Sequence, residues 1–296
     1  MHRTLTTLSL PALLLAGSAV GQTATDIHLL EIAERNGQVL VLGAPARMTD
    51  RDGYDNQPAF TPDGAAVLYT SIRDGQADTY RYEIRTGETT RVTRTPESEY
   101  SPTPIPGGGR FSVVRVERDS TQRLWSFALD GSDPRLVLED IEPVGYHAWV
   151  DASRIGIFVL GDPSLLLVAD ADRGTARVRA RGIGRSIQPV PGRAALTFTQ
   201  PIGDQWWIRE LDLGRRQIRA LARMPGPDEY HVWTPGGSLL GAHGTGIYQW
   251  ESGGTGTWRL VADMAEAGLG RVTRLAVSPD GRRLAVVVDR DGPDHP

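Results

Sequence analysis

The chain has 296 residues, of which 40% are hydrophobic and 23% charged, a balance that excludes disordered and collagen-like classes and suffices for one large or two small domains. It contains no Lys, so all 32 basic residues are Arg, set against 36 Asp plus Glu for a formal charge of -4. That sign excludes nucleic-acid binding through a basic surface, while 34 Gly and 20 Pro suit an all-β chain with many tight turns.

Residues 1–21 read as a secretory signal: Arg3, an apolar stretch from Leu8 to Ala16, then small residues Ala19 and Gly21 at three and one before a cut. The mature chain is expected to start near Gln22. The apolar stretch contains Pro11 and is too short to span a bilayer, and no later run approaches ~20 apolar residues. The expected product is therefore a periplasmic or secreted protein with no membrane insertion. The absence of Cys rules out disulfides, thiolate metal sites and an N-terminal lipid on cysteine, so stability has to come from core burial.

Strand signals DIHLLEI from Asp26 and QVLVLG from Gln38 follow, separated by Gly37. From there a repeat governs the chain. The aligned segments are PAFTPDG (58–64), PTPIPGG (102–108), HAWVDAS (147–153), IQPVPGR (187–193), HVWTPGG (231–237) and LAVSPDG (275–281). Their anchors Pro62, Pro106, Asp151, Pro191, Pro235 and Pro279 are spaced 44, 45, 40, 44 and 44 residues apart. Each anchor turn is followed by a β-branched or aromatic run such as AVLYTS or FSVVRVE. A third run such as TYRYEI or RLWSFAL comes next and breaks at Gly87, Gly131, Gly174, Gly214 and Gly253, where a tight turn favours a residue that tolerates positive φ. A fourth run, such as TTRVTR or TWRLVAD, ends the unit. No helical periodicity of useful length intervenes, although Met264 to Leu269 suits a short turn.

Six repeats of a four-stranded antiparallel unit define an all-β, six-bladed β-propeller. The expected blades are 54–95, 99–140, 143–182, 183–226, 227–266, and 268–291 completed by 26–44, in one domain over 22–296. Closure follows from arithmetic: after Pro279 only two strands fit, and the two strands left over lie at the other end of the chain. The N-terminal pair should supply the outer strands of the last blade and so remove two exposed sheet edges.

YDNQPAFTPDGAAVLYTSIRDGQADTYRYEI (54–84) and SPDGRRLAVVVD (278–289) resemble the repeat of TolB-like six-bladed propellers. The resemblance is close in those two units, degraded in units two and five, and carried by spacing alone in three and four. It implies an isolated propeller rather than a TolB equivalent, because TolB carries an α/β domain before its propeller whereas the first strand here begins at Asp26. Peptidases with similar propellers carry a hydrolase domain with G-x-S-x-G. Ser186, in GRSIQ, lacks the second glycine.

The loops leading into the innermost strands should open on one face around the channel. They hold Asp55, Asn56 and Gln57, then Glu99, Tyr100 and Ser101, then Tyr146 and His147, Arg185 and Ser186, Asp228, Glu229, Tyr230 and His231, and finally Thr273 and Arg274. The expected ligand-binding set is Asp55, Glu99, Tyr146, His147, Arg185, Glu229, Tyr230, His231 and Arg274. The opposite face, built from PDG-type turns, should carry little chemistry. His147 and His231 occupy equivalent positions in YHAW and YHVW. With Glu99 or Glu229 they could ligate a divalent ion; alternatively each imidazole packs beside Trp149 or Trp233 two residues on. DRDG at 50–53 and 289–292 reads as turn chemistry rather than a calcium loop, since the twelve-residue ligand pattern is missing. Adjacent Trp206 and Trp207 are either an exposed interface or both buried, and the Arg-rich 215–223 reads as a solvated outer strand.

These readings lead to a non-enzymatic, monomeric propeller that binds a protein, peptide or cell-envelope component, with no cofactor. The alternative is a lactonase-like, metal-assisted hydrolase with a channel ion. Export is checked by mass spectrometry: protein from the periplasm should lack about 21 residues, and an intact N-terminus recovered from the cytoplasm would contradict it.

Overall fold

The computed structural model describes residues 23–251 and 256–290. The segment expected to be a secretory signal, residues 1–21, lies outside the described residues. The fold is a six-bladed propeller whose innermost strands are Asp55–Phe60, Ser98–Pro104, Val144–Trp149, Ile187–Pro189, His231–Trp233 and Val272–Val277. Five blades are consecutive four-stranded antiparallel sheets. The sixth orders Val272–Val277, Arg283–Asp289, Thr25–Arg35 and Gln38–Val41, with Ala46–Arg47 also pairing to Thr25–Arg35. No helix among the described residues is long and apolar enough to cross a membrane. The short turn after the fifth blade is a 3-10 helix over Met264–Ala267.

Ring closure follows the register Thr25↔Asp289 through Glu31↔Arg283. Beyond it Thr25–Arg35 turns back onto Gln38–Val41. The turn is Asn36-Gly37, with φ of 51 and 74, the pair of left-handed residues that a two-residue hairpin needs to match strand twist. Alternation along the closing strands buries both faces: Ile27, Leu29, Ala285 and Val287 pack against the first blade, while Leu30, Ile32, Leu284 and Val286 pack against the fifth. Each of the six blade-to-blade junctions contains one such buried cluster, which is why the second strands are apolar on both sides.

One turn departs from expectation. In the fourth blade the left-handed residue is Arg216, with φ of 58, rather than Gly214. Asp212 accepts the Arg215 N–H there and holds the turn over residues 213–216, so the chain reverses at the glycine as expected but the left-handed position falls two residues later. Gly253 lies outside the described residues.

Polar contacts reinforce the closure. Asp26 pairs with Arg47 at 3.1 Å and Arg290 at 2.9 Å, and Arg290 also reaches Asp50 and Asp52, so the acidic residues of the first DRDG are engaged with arginines. Glu34 accepts from Thr234 and Ser238 of the fifth blade. Deleting residues 22–44 should expose two sheet edges of the last blade and give aggregated protein. A monomeric truncation that melts cooperatively near the full-length temperature in calorimetry would disprove this closure.

Candidate functional site at the channel mouth

Tyr146, Tyr230 and Arg274 each stand five residues before their repeat anchor, so three blades project them toward the axis at one level. Arg185 and Glu229 sit one position earlier. All except Glu229 border both a mouth cavity of about 500 Å³ and the channel cavity of about 570 Å³ behind it. They form the partition between the two. Glu229 faces the mouth alone.

Arg185 and Glu229 are fastened to each other. The Arg185 Nη2–Glu229 Oε1 separation is 2.9 Å, and the Arg185 backbone N–H donates to Oε2 at 2.7 Å. This approach requires Gly184: a Cβ there would fall 2.8 Å from Glu229 Oε2, 2.5 Å from Thr199 Oγ1 and 2.6 Å from Trp206. Arg274 donates to Tyr230 Oη at 2.7 Å. Its guanidinium lies over the Tyr230 ring at 4.2 Å and the Tyr146 ring at 5.2 Å, a geometry in which the ring quadrupole attracts the cation. Burial alone would raise the Tyr146 phenol, but Arg274, Arg185 and hydrogen bonds from Tyr230 and Arg274 outweigh it and bring it below its ordinary value. Burial dominates at Tyr230 and Tyr54 and pushes both phenols up.

Of the remaining expected residues, His147 and His231 border the channel cavity, whereas Asp55 and Glu99 are placed elsewhere. Asp55 and Glu99 border none of these cavities; both carboxyls are fully buried. The cause is a β-bulge in each of the first two innermost strands, between Asn56 and Ala59 and between Tyr100 and Thr103, where Gln57 and Ser101 take φ of 58 and 54. A bulge resets the alternation, turning Gln57 and Ser101 to the channel and the acids inward. Burial raises Asp55, whose nearest cation is Arg51 at 3.6 Å. Glu99 accepts from Thr95 and faces Arg115 at 3.3 Å.

His147 and His231 sit between blades. Ser112 Oγ, on the second blade, accepts from Trp149 Nε1 at 2.8 Å and lies 2.7 Å from His147 Nε2. Two blades on, Thr197 Oγ1 accepts from Trp233 Nε1 at 2.9 Å and lies 2.8 Å from His231 Nε2, while His231 Nδ1 meets Ser186 Oγ at 3.0 Å. Burial lowers both imidazoles to about 3, leaving them neutral. The set His147, His231, Glu99 and Glu229 does not fit a metal: both nitrogens of His231 are engaged, each carboxylate faces an arginine, and no group of three or more His, Asp or Glu among the described residues could hold an ion.

Two mouth features, Tyr54 and the partners of Asp228, escaped the sequence reading, as did a cavity on the opposite face. Tyr54 precedes the first innermost strand and reaches the mouth cavity. Asp228 is held between His243, at 2.8 Å, and Arg271; His243 ends the second strand of its blade, and loops there open on the mouth face, the signal that pointed to it. The opposite face is less bare than its turns suggested, with a cavity of about 600 Å³ bordered by Trp149, Trp233, Asp151, Arg154 and Arg193. Trp206 and Trp207 are each half-buried, Trp207 beneath the Arg223 guanidinium at 5.0 Å.

No protein-family model matches the chain. It is 27% identical over 77 residues to an uncharacterised protein of Agrobacterium fabrum, and that stretch is 26% of each chain. The putative TolB from Agrobacterium tumefaciens superposes with a TM-score of 0.69 at 16% identity, over 90% of this chain and 99% of that one. A gluconolactonase from Xanthomonas campestris superposes at 0.60 with 12% identity, over 92% and 96%. An oligogalacturonate lyase in complex with manganese gives 0.57 with 16% identity, over 86% and 80%. The chain therefore has the TolB-like six-bladed fold, one shared by proteins of different names and chemistries.

Burial pushes the Glu99 carboxyl up to about 7, against the pull of Thr95 and Arg115. The stability tied to its neutral form is complete below the unfolded carboxylate value of about 4.3 and is lost as pH climbs through the folded one. Glu99→Gln should consequently gain on the wild type between pH 5 and pH 8, by an amount on the order of 2–3 kcal/mol. Thermal unfolding at the two pH values checks this, and an unchanged difference in Tm would refute it.

Proposed function

We propose that this protein is an exported, monomeric, non-enzymatic propeller that binds a protein, peptide or other envelope component through its channel-mouth face. The supporting observation is the convergence of Tyr146, Arg185, Tyr230 and Arg274, from four different blades, on the partition between mouth and channel. Tyr and Arg are the residue types that anchor binding hot spots, and their placement here is held by contacts among themselves rather than by loop conformation. The TolB-like fold agrees with a binding role by analogy.

A metal-assisted hydrolase draws on the gluconolactonase and lyase likenesses of fold. In the donor set it would need, both nitrogens of His231 meet hydroxyls and both carboxylates face arginines, so the binding reading takes precedence.

The test is site-specific photocrosslinking in the source cells. A benzophenone amino acid replaces Thr273, which borders the mouth, or Asp63 in a turn on the opposite face. Position 273 should yield a discrete covalent adduct and position 63 none. An adduct from position 63 alone, or from neither, would overturn the reading.

A further inference from the structure

The mouth partition holds two guanidinium groups, Arg185 and Arg274, with the Glu229 carboxylate beside it on the mouth side. Glu229 is spent on Arg185, which it meets through both oxygens. Burial opposes the charge of the other cation, and the leading groups that favour it are phenols: Tyr230, Tyr146 and Tyr54. Arg274 thus carries a positive charge deep in the mouth with no carboxylate opposite it among the described residues. Cation–π contact with two rings offsets part of the desolvation, but a guanidinium has five donors, and phenols occupy only some of them.

The shape around this charge is specific. On its inner side lies the cavity of about 570 Å³, bordered by Pro58, Phe60, Pro102, Pro104, Pro106 and Trp149, within the ~300–1,000 Å³ range of small-ligand pockets. The walls are mostly apolar, with Gln57, Ser101 and Gln188 among the polar groups that border them, and the cation stands where this space meets the mouth. Resting on the proposed mouth-binding role, we propose that Arg274, with the Tyr146 hydroxyl beside it, captures the carboxylate of an apolar monocarboxylate whose body enters the proline-lined channel. One guanidinium without an ion pair among the described residues matches one carboxylate, and its planar fork matches the two oxygens. A dianionic phosphate would bring surplus negative charge against Glu229. The acid is either a free small molecule or the C-terminus of a peptide; the site chemistry is the same for both.

Isothermal titration calorimetry on the purified full chain tests this with two matched pairs of probes. The first is 3-phenylpropionate against 3-phenylpropionamide, and the second is N-acetyl-Pro-Phe with a free C-terminus against its amide. At least one acid should bind, with its amide at least tenfold weaker; the acid that binds more tightly identifies the source. Arg274→Gln should weaken that acid at least tenfold and Arg274→Lys should recover part of the loss. Tyr146→Phe, which keeps the ring and its packing, should weaken it several-fold, so the inference stays testable if the Arg274 variants fail to fold. Equal binding of acid and amide, no binding of either acid, or an Arg274→Gln or Tyr146→Phe variant of unchanged affinity would overturn it. The photocrosslink at position 273 is independent of these probes. An adduct there with no acid binding overturns the carboxylate site alone, whereas acid binding lost on Arg274→Gln with no adduct overturns the partner reading alone.

Discussion

Everything at the mouth depends on the pairing of Thr25–Arg35 with Arg283–Asp289. That pairing converts six sheets into a ring, and a ring has no unpaired strand at the seam. It is the longest-range contact in the chain, so it has the largest loop-closure entropy to overcome. The compensation is double-sided burial: Ile27 and Leu29 meet the first blade, Leu30 and Ile32 the fifth. The Asp26–Arg290 pair and the hydrogen bonds of Glu34 lie along the same seam. Opening it would allow the sixth blade to drift and carry Arg274 away from Tyr230 and Tyr146.

Between blades, apolar clusters supply the bulk of the cohesion, and hydroxyls supply alignment. The repeated arrangement of His and Trp two residues apart, both meeting one buried Ser or Thr of the preceding blade, illustrates the division. Each such hydrogen bond contributes only about 1 kcal/mol net, but leaving a buried partner unsatisfied costs about 1–3 kcal/mol. The blades are thereby held at one angle. This engages one nitrogen of His147 and both of His231 in blade alignment, at positions that border the channel cavity.

The absence of Lys also has a structural use. Guanidinium groups serve here as planar bridges: Arg193 and Arg219 flank Glu210, Arg115 faces Glu99 and stacks over Trp125, and Arg274 lies across two tyrosines. An ammonium is a strongly hydrated point charge and fills none of these roles as well. Arg115, Arg185, Arg193 and Arg219 each face an acid, whereas Arg274 is held by phenols, the contrast on which the proposed carboxylate site rests.

How much of this could be read in the sequence depends on the range of the interaction. Blade count, strand order and closure were legible, because they follow from a spacing of near 44 residues, from alternation along each strand, and from two strands left over at the N-terminus with Asn36-Gly37 between them. The convergence of Tyr146, Tyr230 and Arg274 was half legible, since equal distance from the anchors puts them at one level but does not say what each touches. Tertiary structure alone decided the rest. Bulges at Gln57 and Ser101 turned Asp55 and Glu99 inward. Ser112 and Thr197, a blade away, claimed His147 and His231. Asp212 let Arg216 take the left-handed conformation in place of Gly214. In each case the local pattern specifies which face a side chain is on, whereas its partner lies on another strand or blade that only the closed ring brings within reach.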